Sequence, residues 1–309
     1  MALNYCGIKA MKILITGGTG FIGQQLVPLL STQHKITVLS RDTKKAIDVL
    51  GEIPRIINTL DEFNHLDHFD VIINLAGEPI VGKRWTEQQK QQLCQSRWEI
   101  TSKLSQLISK SEKPPACFIS ASAIGYYGTQ SSSPVDESAR PNNEFIHQLC
   151  QEWERLALLS QSESTRVCII RIGIVLDANG GALSKMLPPF KLGLGGPIAS
   201  GKQGMSWIHL RDLIRVIQYL ISESTCKGCF NATAPNPVSN LVFSKALAKH
   251  LKRPAILPMP SLVLNLAMGE MSKLLTEGQF VIPQRLIDTG FEFNYPTIDR
   301  AFKQITGSR

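Results

Sequence analysis

The sequence of 309 residues lacks the features that mark several large classes of protein. It contains no apolar run of the ~18–20 residues that a membrane-spanning helix needs. Leu262–Met268 and Ile169–Leu176 are far too short for that purpose. Met1–Met11 has none of the hydrophobic character of a secretory signal. We therefore expect a cytoplasmic protein with no membrane partner.

Cysteine is also scarce, and its number is odd. Seven cysteines in a chain of this length predict reduced, buried thiols. Cys226 and Cys229 form a C-x-x-C pair, but a structural zinc ion needs four ligands and the sequence has no second pair. The prediction is that the protein holds no metal.

Acidic residues are fewer than basic ones, 25 against 33, which gives a formal net charge of +8. The basic residues are spread thinly along the sequence. Binding to nucleic acid would require them to form a patch or stripe. We therefore expect no nucleic-acid partner.

What the sequence does contain is typical of a globular α/β protein. Apolar residues make up 43% of the chain, which is ordinary for a protein with a buried core. Short, fully apolar segments alternate with segments of helical periodicity, which predicts a doubly wound parallel sheet of the Rossmann type. The predicted strands are Lys12–Thr16, Ile36–Ser40, Arg55–Leu60, Val71–Ala76, Cys117–Ser122 and Val167–Leu176, and the predicted helices are Phe21–Leu30, Thr86–Ser109 and Phe145–Leu158.

The pattern becomes less regular after about Asp177, where stretches rich in Gly and Pro interrupt shorter elements. We predict a nucleotide-binding Rossmann domain at residues 11–175, to which segments near residues 204–234 return. Residues 176–203 and 235–309 are predicted to form a smaller substrate-binding lobe with a C-terminal extension.

The strongest local motif lies between the first strand and the first helix. Gly17, Gly20 and Gly23 have G-x-x-G-x-x-G spacing, and Thr19, Phe21 and Ile22 lie between them. Glycine permits a tight turn there, close approach of backbone N–H groups to a pyrophosphate, and close packing of helix on strand. The helix N-terminus then faces the phosphates. These residues are predicted to bind a dinucleotide.

The residues at the end of the second strand predict which nicotinamide cofactor is bound. NAD sites place an acidic residue there to hold the ribose 2′-hydroxyl, whereas NADP sites place a cation near the 2′-phosphate. In this chain the strand ends in Ser40 and Arg41. A guanidinium matches phosphate geometry, so NADP is the predicted cofactor, although Arg41 could also be an ordinary solvated residue.

These motifs together resemble the extended or atypical short-chain dehydrogenase/reductases, and within them the epimerase-family branch with a characteristic C-terminal extension. The resemblance covers nearly all of residues 11–305. Its segments are TGGTGFIG (Thr16–Gly23), Asn74–Trp85, Ser120–Gly128, Gly193–Leu213, Asn231–Pro235, Pro283–Leu286 and Gly290–Phe293.

The resemblance implies roles for further residues. Leu60 and Asp61 match the positions that contact adenine, and Arg171 and Gly173 match the segment beside the nicotinamide. Ser122 matches the hydroxyl that binds the reacting carbonyl or carbinol, with a register uncertain by one residue. The turn that lies along the pyrophosphate and ribose is matched by Leu75, Ala76 and Gly77.

One part of the family pattern is missing. Such enzymes use a Tyr-x-x-x-Lys pair, in which Lys lowers the pKa of the phenol and Tyr transfers the proton. The only literal match, Tyr5–Lys9, precedes the first strand. The expected helix instead carries Ile146 and Cys150 at the two positions, and neither side chain can perform that chemistry.

Other residues could replace the missing pair. Tyr126 or Tyr127 could act as acid and base, or could only pack against and shape the site. Glu78 could be a base, or it could be a cap or part of a surface ion pair. The cations Lys83, Arg84 and Arg97 could hold an anionic substrate, or could be solvated. Trp207 and His209 could border the cleft, or could be structural.

The sequence therefore predicts an NADP(H)-binding oxidoreductase, similar to the short-chain reductases, that acts on a small polar substrate. A homodimer is possible. Two alternatives stay open: a nucleotide-sugar epimerase or dehydratase, and a catalytically silent protein that senses NADP(H) and regulates a partner.

Overall fold

The computed structural model describes residues 10–307. Its centre is a seven-stranded, fully parallel sheet with the strand order β3-β2-β1-β4-β5-β7-β11. The strands are β1 (Lys12–Thr16), β2 (Lys35–Leu39), β3 (Arg55–Ile57), β4 (Val71–Asn74), β5 (Cys117–Ala123), β6 (Pro134–Val135), β7 (Arg166–Ile172), β8 (Ile174–Asp177), β9 (Gly204–Met205), β10 (Trp207–His209), β11 (Gly228–Ala232), β12 (Val238–Ser239) and β13 (Phe280–Val281).

Helices connect the strands and cover the sheet. They are α1 (Gly23–Ser31), α2 (Thr43–Leu50), α3 (Glu87–Ser109), α4 (Phe145–Leu158), α5 (Gly181–Lys191), α6 (Leu210–Ser222), α7 (Asn240–Leu251), α8 (Ser261–Met268), α9 (Lys273–Thr276), α10 (Gln284–Asp288) and α11 (Ile298–Thr306), with 3₁₀ turns at Ile124–Tyr127 and Gly269–Ser272.

The apolar strands explain why the sheet is buried on both faces. Successive side chains of a strand point to opposite faces, and in β1 both sets are apolar. Ile13 and Ile15 therefore pack into one core cluster, whereas Leu14 packs with Ile72 into another. The predicted doubly wound parallel sheet is confirmed.

The predicted bounds of one strand were wrong. The apolar run Val167–Leu176 forms two strands, because the chain leaves the central sheet at Gly173 and β8 pairs with β10 instead. A methyl group at Gly173 would come within 2.6 Å of the Ser206 carbonyl oxygen, so only glycine permits this crossing. Two other predicted strands are shorter than expected, since β3 ends at Ile57 and β4 at Asn74.

The second lobe has its own core, to which β8, α5, α7 and α11 contribute Leu176, Leu187, Phe243 and Phe302. Residues 284–293 were predicted to belong to this lobe, but two of their side chains pack elsewhere. Leu286 and Phe291 are buried in the core of the central sheet. Between residues 10 and 307, no helix is both long enough and apolar enough to cross a membrane.

Candidate functional site

The turn that contains Gly17, Gly20 and Gly23, which we call the glycine turn, lies at the carboxyl end of β1. The three glycines differ in how much space a side chain would have at each position. Gly17 has φ +71°, and a methyl group there would approach the Leu75 carbonyl to 2.6 Å. A methyl group at Gly23 would overlap the carbonyl oxygen of Gly18. At Gly20 the nearest atom would be the Gly17 oxygen at 3.2 Å. Gly17 and Gly23 are therefore required by the fold, whereas Gly20 leaves space open beside the turn.

The turn also presents hydrogen-bond donors that have no acceptor. Helix α1 follows at Gly23, and Ile22 at its N-cap makes no side-chain capping bond. Within residues 10–307, the backbone N–H groups of Phe21 and Ile22 meet no protein acceptor. Unsatisfied N–H groups at a helix N-terminus form an anion site. The turn therefore fits the pyrophosphate of a dinucleotide.

The end of β2 presents a cation and no carboxylate. Asp42 uses its side chain to accept the Lys45 backbone N–H at 3.0 Å, which caps α2. The side chain of Arg41 is exposed, and no carboxylate of the described chain pairs with it. The hydroxyl of Ser40 donates to the Asp42 carbonyl oxygen at 2.9 Å. This edge therefore suits a 2′-phosphate better than a ribose 2′-hydroxyl.

The two residues expected beside adenine lie in different environments. Asp61 is exposed and accepts hydrogen bonds from Lys103 at 2.9 Å and Thr59 at 3.0 Å. The bond from Lys103 is the main reason that the pKa of Asp61 is lowered. Leu60 is buried in the core. The Leu60 side chain therefore packs inside the protein, and the expected contact of Leu60 and Asp61 with adenine stays a prediction.

Arg97 of α3 holds the turn after β4, residues 75–78, through hydrogen bonds of its guanidinium group. The guanidinium is buried and donates to the carbonyl oxygens of Glu78, at 2.8 Å, and Leu93, at 3.0 Å. A methyl group on Gly77 would lie 3.0 Å from its Cζ atom. No carboxylate of the described chain forms an ion pair with Arg97. Burial lowers the pKa of the guanidinium, and the cation serves to fix the turn.

The carboxylate of Glu78 forms its ion pair with another residue. It pairs with Lys83 at 2.9 Å, and its side chain is partly exposed. The backbone N–H of Glu78 donates to the Ser96 hydroxyl at 3.0 Å. The ion pair agrees with the surface interpretation of Glu78, and its role as a base stays a prediction.

The positions of the missing Tyr and Lys are filled by buried side chains. A methyl group on Gly125 would come within 2.5 Å of Ile146 Cγ1, so α4 packs tightly on the turn after β5. Burial raises the pKa of the Cys150 thiol to about 12. The thiol is therefore neutral at physiological pH and supplies no cation. Tyr5 and Lys9 lie outside the described residues.

A buried polar network occupies the end of β5 instead. Glu154 of α4 accepts the Ser122 hydroxyl at 2.6 Å and forms a two-pronged ion pair with Arg171, at 2.9 and 2.8 Å. Arg171 also donates to the Tyr127 hydroxyl at 3.0 Å, and that hydroxyl donates to Asn231 at 2.7 Å. The Ser122 hydroxyl and the Arg171 guanidinium thus both donate hydrogen bonds to Glu154.

Glu154 was not identified from the sequence, although a signal was available. It follows Cys150 by four residues and therefore lies on the same face of α4, which is buried and, apart from His147, otherwise apolar. A carboxylate on such a face requires a buried partner. The sequence alone does not show that Arg171 and Ser122 provide it.

Tyr126 combines a fixed ring with an unengaged polar group. Its hydroxyl makes no hydrogen bond to any residue between 10 and 307. Its ring lies against the Arg171 guanidinium, 3.5 Å from Cζ to the ring centroid, and packs edge-on against His147. Tyr126 is therefore held firmly by its ring while its phenol remains available.

His209 and Trp207 are structural. His209 is fully buried, accepts the Arg211 backbone N–H at 3.0 Å as the cap of α6, and contacts Gln304 at 2.7 Å. Trp207 is also fully buried in the core of the second lobe.

The second lobe contacts the nucleotide-binding turn directly. A methyl group at Gly181 would approach the Phe21 ring to 2.9 Å, so the start of α5 lies on the glycine turn. Lys90 of α3 pairs with Glu270 at 2.7 Å, which joins the other side of the second lobe to the sheet domain. The two parts of the molecule are therefore joined by specific contacts at two separate places.

Comparison with known proteins agrees with this architecture. Residues 13–232 match the model of the NAD dependent epimerase/dehydratase family, and residues 259–305 match a domain of unknown function, DUF1731. The chain is 38% identical to the chloroplastic epimerase family protein SDR39U1 homolog of Arabidopsis thaliana over 96% of this chain and 86% of that protein. It is 36% identical to the human epimerase family protein SDR39U1 over 96% of this chain and 99% of that protein.

Solved structures of related proteins are also similar to this chain. The crystal structure of human epimerase family protein SDR39U1 (isoform 2) with NADPH is similar with a TM-score of 0.88 and 35% identity, over 97% of this chain and all of that chain. A UDP-glucuronic acid 4-epimerase from Bacillus cereus, at 18% identity over 96% of this chain and 98% of that chain with a TM-score of 0.76, shares the fold. The chain belongs to the NAD dependent epimerase/dehydratase family.

Proposed function

We propose that this protein binds NADP(H) along the glycine turn and uses NADPH to reduce a small polar substrate in the cleft between the sheet and the second lobe. The observation that carries the proposal has two parts: the backbone N–H groups of Phe21 and Ile22 meet no acceptor within residues 10–307, and the exposed Arg41 pairs with no carboxylate of those residues. The human relative whose structure contains NADPH is 35% identical to this chain. Both findings support NADPH rather than NADH.

Bound NADPH would supply a hydride from its nicotinamide ring. The residues of this chain would then hold the substrate and deliver the proton. Tyr126 is the proposed proton donor, because its phenol is unengaged and its ring is fixed against Arg171. The buried hydrogen bond from Ser122 to Glu154 would hold the end of β5 in place. The hydrogen bond from Arg97 to the Glu78 carbonyl oxygen would hold the turn at Gly77 and Glu78.

Two other functions are favoured by single observations. The family match favours an epimerase or dehydratase, which would return the hydride to the substrate from which it came. Neutral, buried Cys150 and Ile146, in place of a catalytic pair, favour a protein that senses NADP(H) without turnover. A reductase differs from both because it oxidises one NADPH for each substrate molecule that it reduces.

Arg41→Asp is expected to reverse the cofactor preference. The change removes a phosphate-binding cation and introduces a carboxylate suited to a ribose 2′-hydroxyl, at a cost to NADPH binding of roughly 1.5–3 kcal/mol. Fluorescence titration with both cofactors measures the effect. The control is Arg55→Asp, on β3, which should leave the ratio of affinities unchanged. Equal affinities of the unaltered protein for NADPH and NADH would contradict this assignment.

Tyr126→Phe is expected to reduce NADPH-dependent turnover by about 100- to 10,000-fold, the usual contribution of general acid catalysis, with little change in NADPH affinity. The ring and its contact with Arg171 are retained, and only the hydroxyl is lost. Tyr219→Phe on α6, whose hydroxyl donates to the Thr289 carbonyl oxygen, is the control. Equal turnover by the two variants would show that Tyr126 only shapes the site.

A further inference from the structure

The second lobe exposes a continuous group of large apolar side chains, which we call the apolar face. All eight residues of α8 are at least partly exposed, and Leu262 and Leu266 are 68% and 72% exposed. The members of the apolar face are Leu192, Leu194, Ile256, Leu257, Met259, Leu262, Val263 and Leu266. Exposed apolar groups of this extent mark interaction surfaces.

Backbone contacts make these residues one surface. The segment 197–199 runs beside Met259, whose N–H donates to the Pro197 carbonyl oxygen at 2.9 Å and whose carbonyl oxygen accepts the Ala199 N–H at 2.9 Å. Gly193 lies against Pro254. The segment 192–199 and the segment 254–260 are therefore adjacent, and the second of them leads directly into α8.

The apolar face lies in two segments without acidic residues, and the nearby carboxylates of Asp299 and Glu270 pair with Lys249 at 3.8 Å and with Lys90 at 2.7 Å. Residues 178–211 and 224–269 contain neither Asp nor Glu. They contain Lys185, Lys191, Lys202, Arg211, Lys227, Lys245, Lys249, Lys252 and Arg253. Arg253 and Lys191 are joined at the edge of the apolar face, because the Arg253 guanidinium donates to the Lys191 carbonyl oxygen at 2.9 Å. Lys191, Lys252 and Arg253 are all exposed.

We propose that the apolar face binds peripherally to the surface of a membrane that contains anionic lipid. Exposed leucines would enter the boundary between headgroups and acyl chains, while the surrounding cations would contact lipid phosphates. This mode of binding needs no spanning helix.

A second copy of the chain fits the apolar face less well. A two-fold symmetric interface brings the same surface patch of both subunits together. Lys191, Lys252 and Arg253 of one copy would then face the same cations of the other, without carboxylates from residues 178–211 or 224–269 to offset them. Anionic headgroups offer the opposite charge across the whole surface.

The test is co-sedimentation of the full chain with vesicles of phosphatidylcholine alone or with about a third phosphatidylglycerol, at low and high salt. Binding is expected only with the anionic lipid, and high salt should weaken it. The double variant Lys252→Gln/Arg253→Gln should bind about 25-fold more weakly, at about 5-fold for each cation. Leu262→Ser/Leu266→Ser should also lose binding. The matched control is Ile53→Ser, which alters a side chain 79% exposed on the sheet domain.

Several results would overturn the proposal. One is the absence of sedimentation of the unaltered protein with anionic vesicles, and another is equal binding by Leu262→Ser/Leu266→Ser and Ile53→Ser. A third is self-association, measured by light scattering, that the leucine changes abolish while vesicle binding is absent, since a second copy would then cover the face. Capture by polyglutamate but not by anionic vesicles would indicate an acidic protein instead. Circular dichroism checks that each variant is folded.

Discussion

Gly20→Val should abolish measurable NADPH binding and leave the fold intact. Modest steric conflict is expected within the protein, because the nearest atom to an added methyl group is the Gly17 carbonyl oxygen at 3.2 Å. The branched side chain would instead fill the space beside the unsatisfied N–H groups of Phe21 and Ile22. Losing two hydrogen bonds to a charged phosphate, at about 1.5–3 kcal/mol each, weakens binding by more than about 100-fold.

The measurement is a fluorescence titration with NADPH, together with thermal unfolding of the same samples. Gly23→Val is the informative comparison, since its methyl groups would overlap the Gly18 carbonyl oxygen and should destabilise the turn itself. A folded Gly20→Val protein that retains its NADPH affinity would place the cofactor elsewhere.

The second large effect is on stability. Arg171→Met should lower the free energy of unfolding by about 3–5 kcal/mol, because it leaves the Glu154 carboxylate buried without its partner. The side chains of Arg171 and Glu154 are 4% and 5% exposed. Urea unfolding measures the loss.

The chain offers a matched control on the outside of the same helix. Arg155 pairs with Glu152, at side-chain exposures of 56% and 34%, and an exposed pair of this kind contributes about 0–1 kcal/mol. Arg155→Met should therefore have a small effect. The double change Glu154→Leu/Arg171→Met should recover much of the lost stability, since it removes both charges. Similar losses in Arg171→Met and Arg155→Met would contradict the assigned importance of the buried pair.

The parts of this molecule that follow from local sequence were predictable. Glycine spacing and the strand before it suffice to predict the turn at Gly17, Gly20 and Gly23, because the whole motif lies in consecutive residues. The absence of a catalytic pair at Ile146 and Cys150 was visible for the same reason, since α4 has the predicted bounds Phe145–Leu158.

The network around Ser122 was not predictable in the same way. Its members come from β5, α4, β7, β11 and the 3₁₀ turn after β5, and only the packing and register of these elements bring them together. Ser122 and Arg171 are paired on the neighbouring strands β5 and β7. Glu154 of α4 forms hydrogen bonds with both. A sequence match to a catalytic serine therefore identified the position without showing that its proton is bound to Glu154.

The boundaries of the second lobe and of its elements were the hardest to predict from the sequence. Its elements are short and interrupted by Gly and Pro, so periodicity gives few boundaries. Residues 284–293 return to the first core through Leu286 and Phe291, and α10, which begins this segment, has only five residues. Tertiary packing, rather than local preference, fixes where it belongs.

The most direct test of the proposed reductase is the transfer of deuterium from NADPH labelled at nicotinamide C4. The protein is incubated with each of the two C4-deuterated forms and a panel of carbonyl compounds and small-molecule extracts, and products are analysed by mass spectrometry. We expect deuterium to appear in a reduced product with one of the two forms, together with equimolar loss of NADPH, and neither change with Gly20→Val. Tightly bound NADPH whose deuterium enters no compound in the panel would contradict reduction and favour a sensor.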